Sequence, residues 1–458
     1  MLLVGAAAAA VVSAGQPTGS AGCVDTEGSD GCAAAPSLAG LDPDQMAVSP
    51  NGRFVYAWQQ ELLFSPGAPH ARLLVFSRDR RSGSLHPLRG RRGCLENTAR
   101  PVARQRGPCE RVGGLEQPVS LVISPDGRRL YASARGGRAG GDYLVTFAVD
   151  PRGGTVRPLQ CLTDEVHSHC AFAPIALDGH LLVAPDSRTV YVADGLRGEI
   201  RVYRPHASGL VLEQCLVAAP LPGQDCTIAP LLGAGGLPGL AETPDGSELY
   251  AGGPVGGGAE RIVGLGRDPT SGLLSARSGP GDCVSDEPVP PAGCTFVSLT
   301  GSELSLSASG DTLYAASQTN YTGSSLAVAA LTRDPASGAL SELAGPAGCV
   351  VFATAPSRGC GTAPRWSASY PYTLSAPSGG LIASAVERRD DAGTVVQITR
   401  SPTGGALVVD DLRECAPGVC RRLRGANGEL IGSLAVSPDA RSVYVADGDG
   451  IAQLRISR

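Results

Sequence analysis

Short apolar runs recur along the chain, each followed by a tight-turn sequence. Residues 46–48 (Met-Ala-Val) form one such run, directly before Ser49. The turn reads Ser-Pro-Asp-Gly or a close variant in seven copies, 59 to 75 residues apart. Proline fixes φ and Asp-Gly suits a tight turn, so each copy predicts a β-hairpin. The copies occupy residues 49–52, 124–127, 184–187, 243–246, 307–310, 376–379 and 437–440.

A tyrosine marks the second strand of almost every copy. It stands six residues after the proline position, as in Tyr56 and Tyr191, and only the sixth copy departs from this, with Ala383. A glycine-rich loop, a third apolar run, a polar Ser-Gly turn and a fourth run complete the unit. Each copy therefore predicts four antiparallel strands, whose two faces need neighbouring units to cover them.

Seven such units predict an all-β protein, a seven-bladed β-propeller of four-stranded antiparallel blades. A solenoid of the same units would leave two ends to cap. The sequence stops after the third strand of the seventh copy, so we expect residues 12–22 to pair with the last blade and close the ring. Residues 1–14 also resemble a secretory signal peptide, which would leave residues 15–458 as a single propeller domain. The two expectations compete for the same residues.

Charge and hydropathy narrow the classes of partner. The net charge is −5, without the basic excess that is typical of nucleic-acid-binding proteins. No apolar stretch reaches the length of a transmembrane helix. We therefore expect a monomer that binds no nucleic acid, does not span a membrane and uses no cofactor, with an unknown small molecule, glycan or protein as its partner.

Fourteen cysteines occur as one close pair between successive units, and we predict a disulfide within each pair. Cys161, His167, His169 and Cys170 could instead bind zinc, but the other pairs lack histidines, so we predict no metal site. Many disulfides indicate an oxidising compartment, and hence a secreted or extracellular protein, with cell-surface association left open. The predicted pairs are Cys23–Cys32, Cys94–Cys109, Cys161–Cys170, Cys215–Cys226, Cys283–Cys294, Cys349–Cys360 and Cys415–Cys420.

Several segments carry a family resemblance. They are Ser-Pro-Asp-Gly at 124–127 followed by Tyr131, Tyr-Val-Ala-Asp at 191–194 and 444–447, and Asp-Pro-x-Ser-Gly-x-Leu at 268–274 and 334–340. These repeats resemble those of the YVTN/lactonase-like seven-bladed propellers, which include 6-phosphogluconolactonase-type and carboxymuconate-cyclase-type proteins. The resemblance implies the propeller fold and a lactonase-like activity. It lies in scaffold residues, so no family catalytic residue is transferred to this chain.

Residues five before each turn proline are equivalent, and in a propeller they meet at the mouth of the central channel. His180 and Glu303 are the candidate bases among them, and Arg135, in a loop on the same face, is the candidate oxyanion holder. We place all three in a catalytic group. The other candidate ligand-binding residues, from this ring and from the loops after the second strands, are Gln45, Ser120, Tyr372, Ser433, Asp194, Arg197, Gln318 and Arg388.

Two functions are compatible with these features. A secreted, disulfide-stabilised propeller that binds or recognises a partner, without assured catalysis, agrees with a strong scaffold signal and a weak site signal. The alternative is a lactonase-like hydrolase that opens a sugar or organic-acid lactone at the channel mouth. The binding scaffold is the favoured interpretation of the sequence alone.

Overall fold

The structure is a computed structural model. It describes residues 13–25, 27–35, 38, 42–60, 71–97, 109–136, 141–164, 170–173, 180–194, 198–220, 225–233, 239–256, 259–319, 325–352, 359–364, 366–367, 380–387, 392–400, 406–411, 433–447 and 450–457. Its strands form seven separate sheets, and each sheet is one blade.

The first half of the described chain opens with three short strands and then forms blades 1 to 3. Each blade begins with a hairpin around the predicted turn. The strands are β1 Ser13–Gly15, β2 Cys23–Asp25 and β3 Ala33–Ala34; in blade 1, β4 Asp42–Val48, β5 Phe54–Gln60, β6 Ala71–Arg78, β7 Leu85–Pro87, β8 Cys94–Asn97 and β9 Glu110–Val112; in blade 2, β10 Gln117–Ile123, β11 Arg129–Arg135, β12 Asp142–Val149, β13 Val156–Thr163 and β14 Ala171–Phe172; in blade 3, β15 Leu181–Val183, β16 Val190–Ala193, β17 Glu199–His206, β18 Gly209–Val217 and β19 Thr227–Ile228.

Blades 4 to 7 repeat this order, and blade 7 is completed by β1 to β3. Helical structure in the described residues is limited to single 3-10 turns such as Gly19–Ala21 and Gly345–Ala347. The strands are, in blade 4, β20 Gly239–Glu242, β21 Glu248–Gly256, β22 Ala259–Arg267, β23 Leu274–Ala276, β24 Cys283–Ser285 and β25 Thr295–Phe296; in blade 5, β26 Glu303–Leu306, β27 Thr312–Thr319, β28 Ser325–Arg333, β29 Leu340–Glu342, β30 Cys349–Val351 and β31 Gly361–Thr362; in blade 6, β32 Trp366–Ser367, β33 Leu381–Glu387, β34 Ala392–Arg400 and β35 Leu407–Asp411; in blade 7, β36 Ser433–Val436, β37 Ser442–Asp447 and β38 Gly450–Ser457.

The blades form a closed ring. Successive first strands contact one another from β36 through β4, β10, β15 and β20 to β26. A separate hydrophobic cluster fills each of the seven interfaces between neighbouring blades. At the junction of blades 7 and 1, Val24, Tyr444 and Val55 share one cluster. The seven-bladed β-propeller predicted from the repeat is confirmed.

Ring closure uses the N-terminal region. β1 and β2 pair antiparallel with β38 along its length, with Ala14 opposite Ile456 and Val24 opposite Ile451. They therefore form the fourth strand of blade 7 in two pieces. The prediction of a closing N-terminal strand is confirmed, and the strand reaches Asp25, slightly beyond the predicted segment.

Six disulfides have the predicted pairing, from Cys23–Cys32 to Cys349–Cys360, and Cys415 and Cys420 lie outside the described residues. In each of these six blades, the second cysteine directly precedes a short outer strand that pairs parallel with the fourth strand. The disulfide thus holds a fifth strand on the blade edge. The sequence analysis predicts only four strands per blade, because a strand of two or three residues leaves no periodic pattern.

The recurring tyrosine joins one blade to the next. At three of the blade junctions its hydroxyl donates a hydrogen bond to the glycine carbonyl of the next Ser-Gly turn and accepts one from an arginine that ends the next third strand. In blade 2, Val149 replaces that arginine, and the hydroxyl of Tyr56 has no hydrogen-bond partner among the described residues. The tyrosine–arginine contacts, 2.6 to 2.9 Å long, are Tyr444–Arg78, Tyr191–Arg267 and Tyr250–Arg333.

Glu242, the last residue of β20, is a buried carboxyl at one of these junctions. Its Oε1 lies 3.3 Å from Nε of Arg267, which also bonds Asp186 and Tyr191. Burial outweighs the attraction of Arg267 and raises the pKa of Glu242 to about 8. The folded protein therefore holds this proton more tightly than the unfolded chain. The contribution of the Glu242 carboxyl to the free energy of unfolding is complete below the ordinary pKa of a glutamate and is lost as pH rises through about 8.

We expect Glu242→Gln, which mimics the protonated carboxyl, to stabilise the protein increasingly between about pH 5 and 8, with an initial slope of about 1.4 kcal/mol per pH unit. Urea unfolding at several pH values measures this difference. Glu248→Gln is the matched control, because hydrogen bonds from Arg333, Tyr250 and Arg277 outweigh burial and lower the pKa of Glu248. This control should lose stability at neutral pH. A pH-independent effect of Glu242→Gln would contradict the expectation.

Candidate functional site

Two of the predicted catalytic side chains meet on the inner ring. His180 directly precedes β15 of blade 3, and Glu303 opens β26 of blade 5. The imidazole Nε2 lies 3.3 Å from Oε1 of Glu303, and the two side chains are 35% and 21% exposed. The carbonyl oxygen of His180 accepts a hydrogen bond from the backbone N–H of Ala193, which fixes the start of the strand. Both side chains are thus partly exposed.

Gly239 explains how two residues from non-adjacent blades can touch. It opens β20 of blade 4, between the strands that carry His180 and Glu303. A Cβ atom at this position would lie 1.8 Å from the backbone oxygen of Ser302, so only glycine fits the existing backbone. The missing side chain lets blade 5 approach blade 4 closely.

The electrostatics of the pair favour a proton on the imidazole. Burial by itself lowers the pKa of His180, but the charge of Glu303 and the hydrogen bond to it outweigh burial and raise that pKa above its ordinary value. Nε2–H therefore donates to the Glu303 carboxylate. A histidine oriented by a carboxylate through one ring nitrogen can accept a proton from water at the other nitrogen.

The remaining predicted residues are more dispersed. Ser120 is buried in β10, and its Oγ accepts a hydrogen bond from the N–H of Leu181 at 3.2 Å, so it links blades 2 and 3 beside His180. Gln45 in β4 is partly exposed, and Ser433, which opens β36, is buried. Arg135 is exposed at the end of β11, where it pairs with Gln117 and Asp142 in the sheet.

Asp194 is buried directly after β16, and its N–H donates to the carbonyl of Glu199. Gln318 lies in β27 opposite Leu326. Tyr372, Arg197 and Arg388 lie outside the described residues, as do His167 and His169 of the zinc alternative. Among the predicted ring residues that the structure describes, His180 and Glu303 are brought into side-chain contact.

Two buried groups near this face were missed by the sequence analysis. Glu199 and Arg201 form an ion pair within β17, beside Asp194. Glu260 in β22 is buried close to Glu303. Both groups stand at the start of third strands, which the sequence analysis treated as scaffold. The sequence feature that could have identified these groups is a charged residue in an otherwise apolar strand.

The described residues contain no cluster of three or more His, Cys, Asp or Glu side chains arranged to hold a metal ion. Within the same part of the chain, no helix has the length and hydropathy needed to cross a lipid bilayer.

No protein-family model and no curated protein matches the sequence. Solved propellers do match the structure. The periplasmic gluconolactonase of Pseudomonas aeruginosa is 16% identical with a TM-score of 0.46, covering 91% of this chain and 88% of that chain. A putative 6-phosphogluconolactonase of Bacteroides uniformis is 17% identical with a TM-score of 0.38, covering 65% and 83% respectively. The Cps50 (Swd1) propeller domain of Myceliophteria thermophila is 12% identical with a TM-score of 0.49, covering 91% and 96%.

At these identities the likeness concerns the architecture alone. The seven sheets of the structure show the seven-bladed β-propeller that the repeats predicted.

Proposed function

We propose that the protein hydrolyses a lactone of a sugar or organic acid at the mouth of its channel. The observation that carries this proposal is the accessible contact between His180 and Glu303 on the inner ring. A lactone hydrolase needs a base to activate water, and a carboxylate-oriented imidazole supplies one. This geometry favours the enzyme over the binding scaffold that the sequence alone favoured.

In the proposed reaction, Glu303 fixes the imidazole through Nε2–H, so that Nδ1 of His180 takes a proton from water. The water oxygen attacks the lactone carbonyl, and the ring C–O bond then breaks. The imidazolium returns the proton to the departing alkoxide, which yields the open hydroxy acid and restores the site. We further propose that Arg135 balances the negative charge of the oxyanion or of a substrate carboxylate.

The raised pKa of His180 gives this mechanism a pH dependence. The imidazolium must lose its proton before it can act as a base. We therefore expect kcat/KM to rise with pH through a value above the ordinary pKa of histidine.

The test is hydrolysis of a panel of aldonolactones and organic-acid lactones, followed in a pH-stat. We expect His180→Ala and Glu303→Gln each to lower kcat by about 10²- to 10⁴-fold. His206→Ala is the matched control, because this histidine is exposed at the end of β17 and should leave turnover unchanged. Equal rates for the wild type and His180→Ala on every lactone would refute the enzyme and return the protein to the class of binding propellers.

A binding function has separate support on the outer rim. Phe172, Ile228 and Phe296 occupy the same position of the fifth strand in three successive blades and are 61%, 49% and 54% exposed. Exposed apolar side chains in a repeated arrangement are typical of contact surfaces. The long loops at residues 59–72 and 135–142 are further candidate contact surfaces, and residues 61–70 and 137–140 of these loops lie outside the described residues.

We also propose that the protein is exported. All twelve described cysteines are paired, which supports an oxidising compartment. Because β1 begins at Ser13, removal of residues 1–14 would leave only Gly15 of this strand. N-terminal sequencing of the exported protein identifies the cleavage position.

A further inference from the structure

A second carboxyl lies behind the His180–Glu303 pair. Glu260 belongs to β22, the third strand of blade 4, and is only 8% exposed. Its backbone N–H donates to Oδ1 of Asp286 at 2.7 Å, and its carbonyl accepts a hydrogen bond from Oγ of Ser285 at 3.2 Å. The segment that follows β24 therefore fixes the position of Glu260 in the blade.

Two serine hydroxyls connect this carboxyl to blade 5. Ser302 and Ser317 donate hydrogen bonds to the Glu260 side chain. Ser302 immediately precedes Glu303, and its carbonyl oxygen is the atom that packs against Gly239. Glu260 is thus bonded to the residue that directly precedes Glu303, and Glu303 in turn contacts His180.

The carboxyl of Glu260 is only partly hydrogen-bonded within the described residues. Oε2 of Glu260 is buried and has no hydrogen-bond partner within the described residues. Burial, together with the charges of Asp286 and Glu303, outweighs the serine hydrogen bonds and raises the pKa of Glu260 to about 7. On the same strand, Arg261 pairs with Glu287 and the carbonyl of Leu231, so this cation is already engaged. A buried carboxyl of this kind changes its charge near neutral pH.

We propose that Glu260 is a positioning residue of the site, and that gain or loss of its buried proton changes the proton affinity of the His180 imidazole. An ionised Glu260 adds a negative charge behind Glu303 and favours the imidazolium. A protonated Glu260 removes that charge and releases the imidazole to act as a base. As a mechanism of catalysis this inference rests on the proposed function, whereas the coupling between the two groups is independent of it.

The experiment follows the imidazole C–H resonances of the full chain by NMR as pH is varied, with His180 assigned from His180→Ala. We expect Glu260→Gln to move the titration midpoint of His180 down by about 0.3 to 1 pH unit, because a nearby negative charge is lost. Ser317→Ala should move it in the same direction by less, since the ionised carboxyl loses one donor. Asp268→Asn is the matched control. It removes an exposed carboxylate after β22 and should leave the titration midpoint of His180 unchanged.

Unchanged midpoints in both Glu260→Gln and Ser317→Ala would overturn the inference. If the lactone panel gives turnover, the rise of kcat/KM with pH should shift with the His180 midpoint in Glu260→Gln. A shifted midpoint without any lactone hydrolysis would retain the coupling and reject only the proposed function.

Discussion

A chain that starts at Thr26 and carries Cys32→Ser will lose most of the folding free energy of a chain that starts at Ser13. The difference between the two is β1 and β2, which form the fourth strand of blade 7. Val24 is 1% exposed in the core between blades 7 and 1. Without these strands, β38 becomes an open edge and this core is exposed to water.

The expected size follows from three contributions. Burying Val24 is worth about 1.5–3 kcal/mol, and each lost strand hydrogen bond adds about 1 kcal/mol. The Cys23–Cys32 disulfide closes a loop with a sequence separation of 9 and adds about 2–3 kcal/mol. A loss above about 5 kcal/mol is a large part of the total stability of a typical domain.

Urea unfolding of the purified variants measures this loss. Full-length Cys23→Ser/Cys32→Ser is the control that isolates the disulfide, and it should retain a cooperative transition. If the chain that starts at Thr26 unfolded at the same urea concentration as this control, the closing strand would contribute nothing beyond its disulfide.

Much of the fold could be predicted because its determinants are local and repeated. The turn sequence defines each hairpin, and the ring follows from counting the copies. The role of the recurring second-strand tyrosine, which joins neighbouring blades, was not predictable in the same way. Tyr444 bonds Arg78 from the opposite end of the chain, while Tyr191 bonds Arg267 only 76 residues further along. No fixed spacing links these partners, so they are visible only once the ring has closed.

The candidate site was partly predictable for a related reason. Counting from the turn proline placed His180 and Glu303 on the same ring, although they are far apart in sequence. We relate their contact to Gly239, which lies at the equivalent position in blade 4 and has no side chain to contribute. Glu260 was missed because it reaches the site from a third strand, through hydroxyls of the neighbouring blade. Such contacts between blades leave no pattern within one repeat.

Gly239→Ala should therefore destabilise the protein and separate His180 from Glu303 in one step. The new Cβ would lie 1.8 Å from the backbone oxygen of Ser302, and a backbone atom cannot move aside without shifting β26. We expect a loss of about 2–4 kcal/mol in the free energy of unfolding, at the upper end for overpacking. Gly266→Ala in the same blade is the control, because its Cβ would meet flexible side-chain atoms, with Oγ of Ser275 nearest at 3.1 Å.

The second readout of Gly239→Ala is the titration of His180. Because Ser302 precedes Glu303, displacing its backbone draws the carboxylate away from the imidazole. The attraction that raises the pKa of His180 then weakens while the effect of burial remains, so the titration midpoint should fall. A destabilised variant with an unchanged midpoint would mean that Gly239 serves packing alone. A lower midpoint together with lost hydrolysis would show that the same missing side chain determines both the junction of blades 4 and 5 and the geometry of the base.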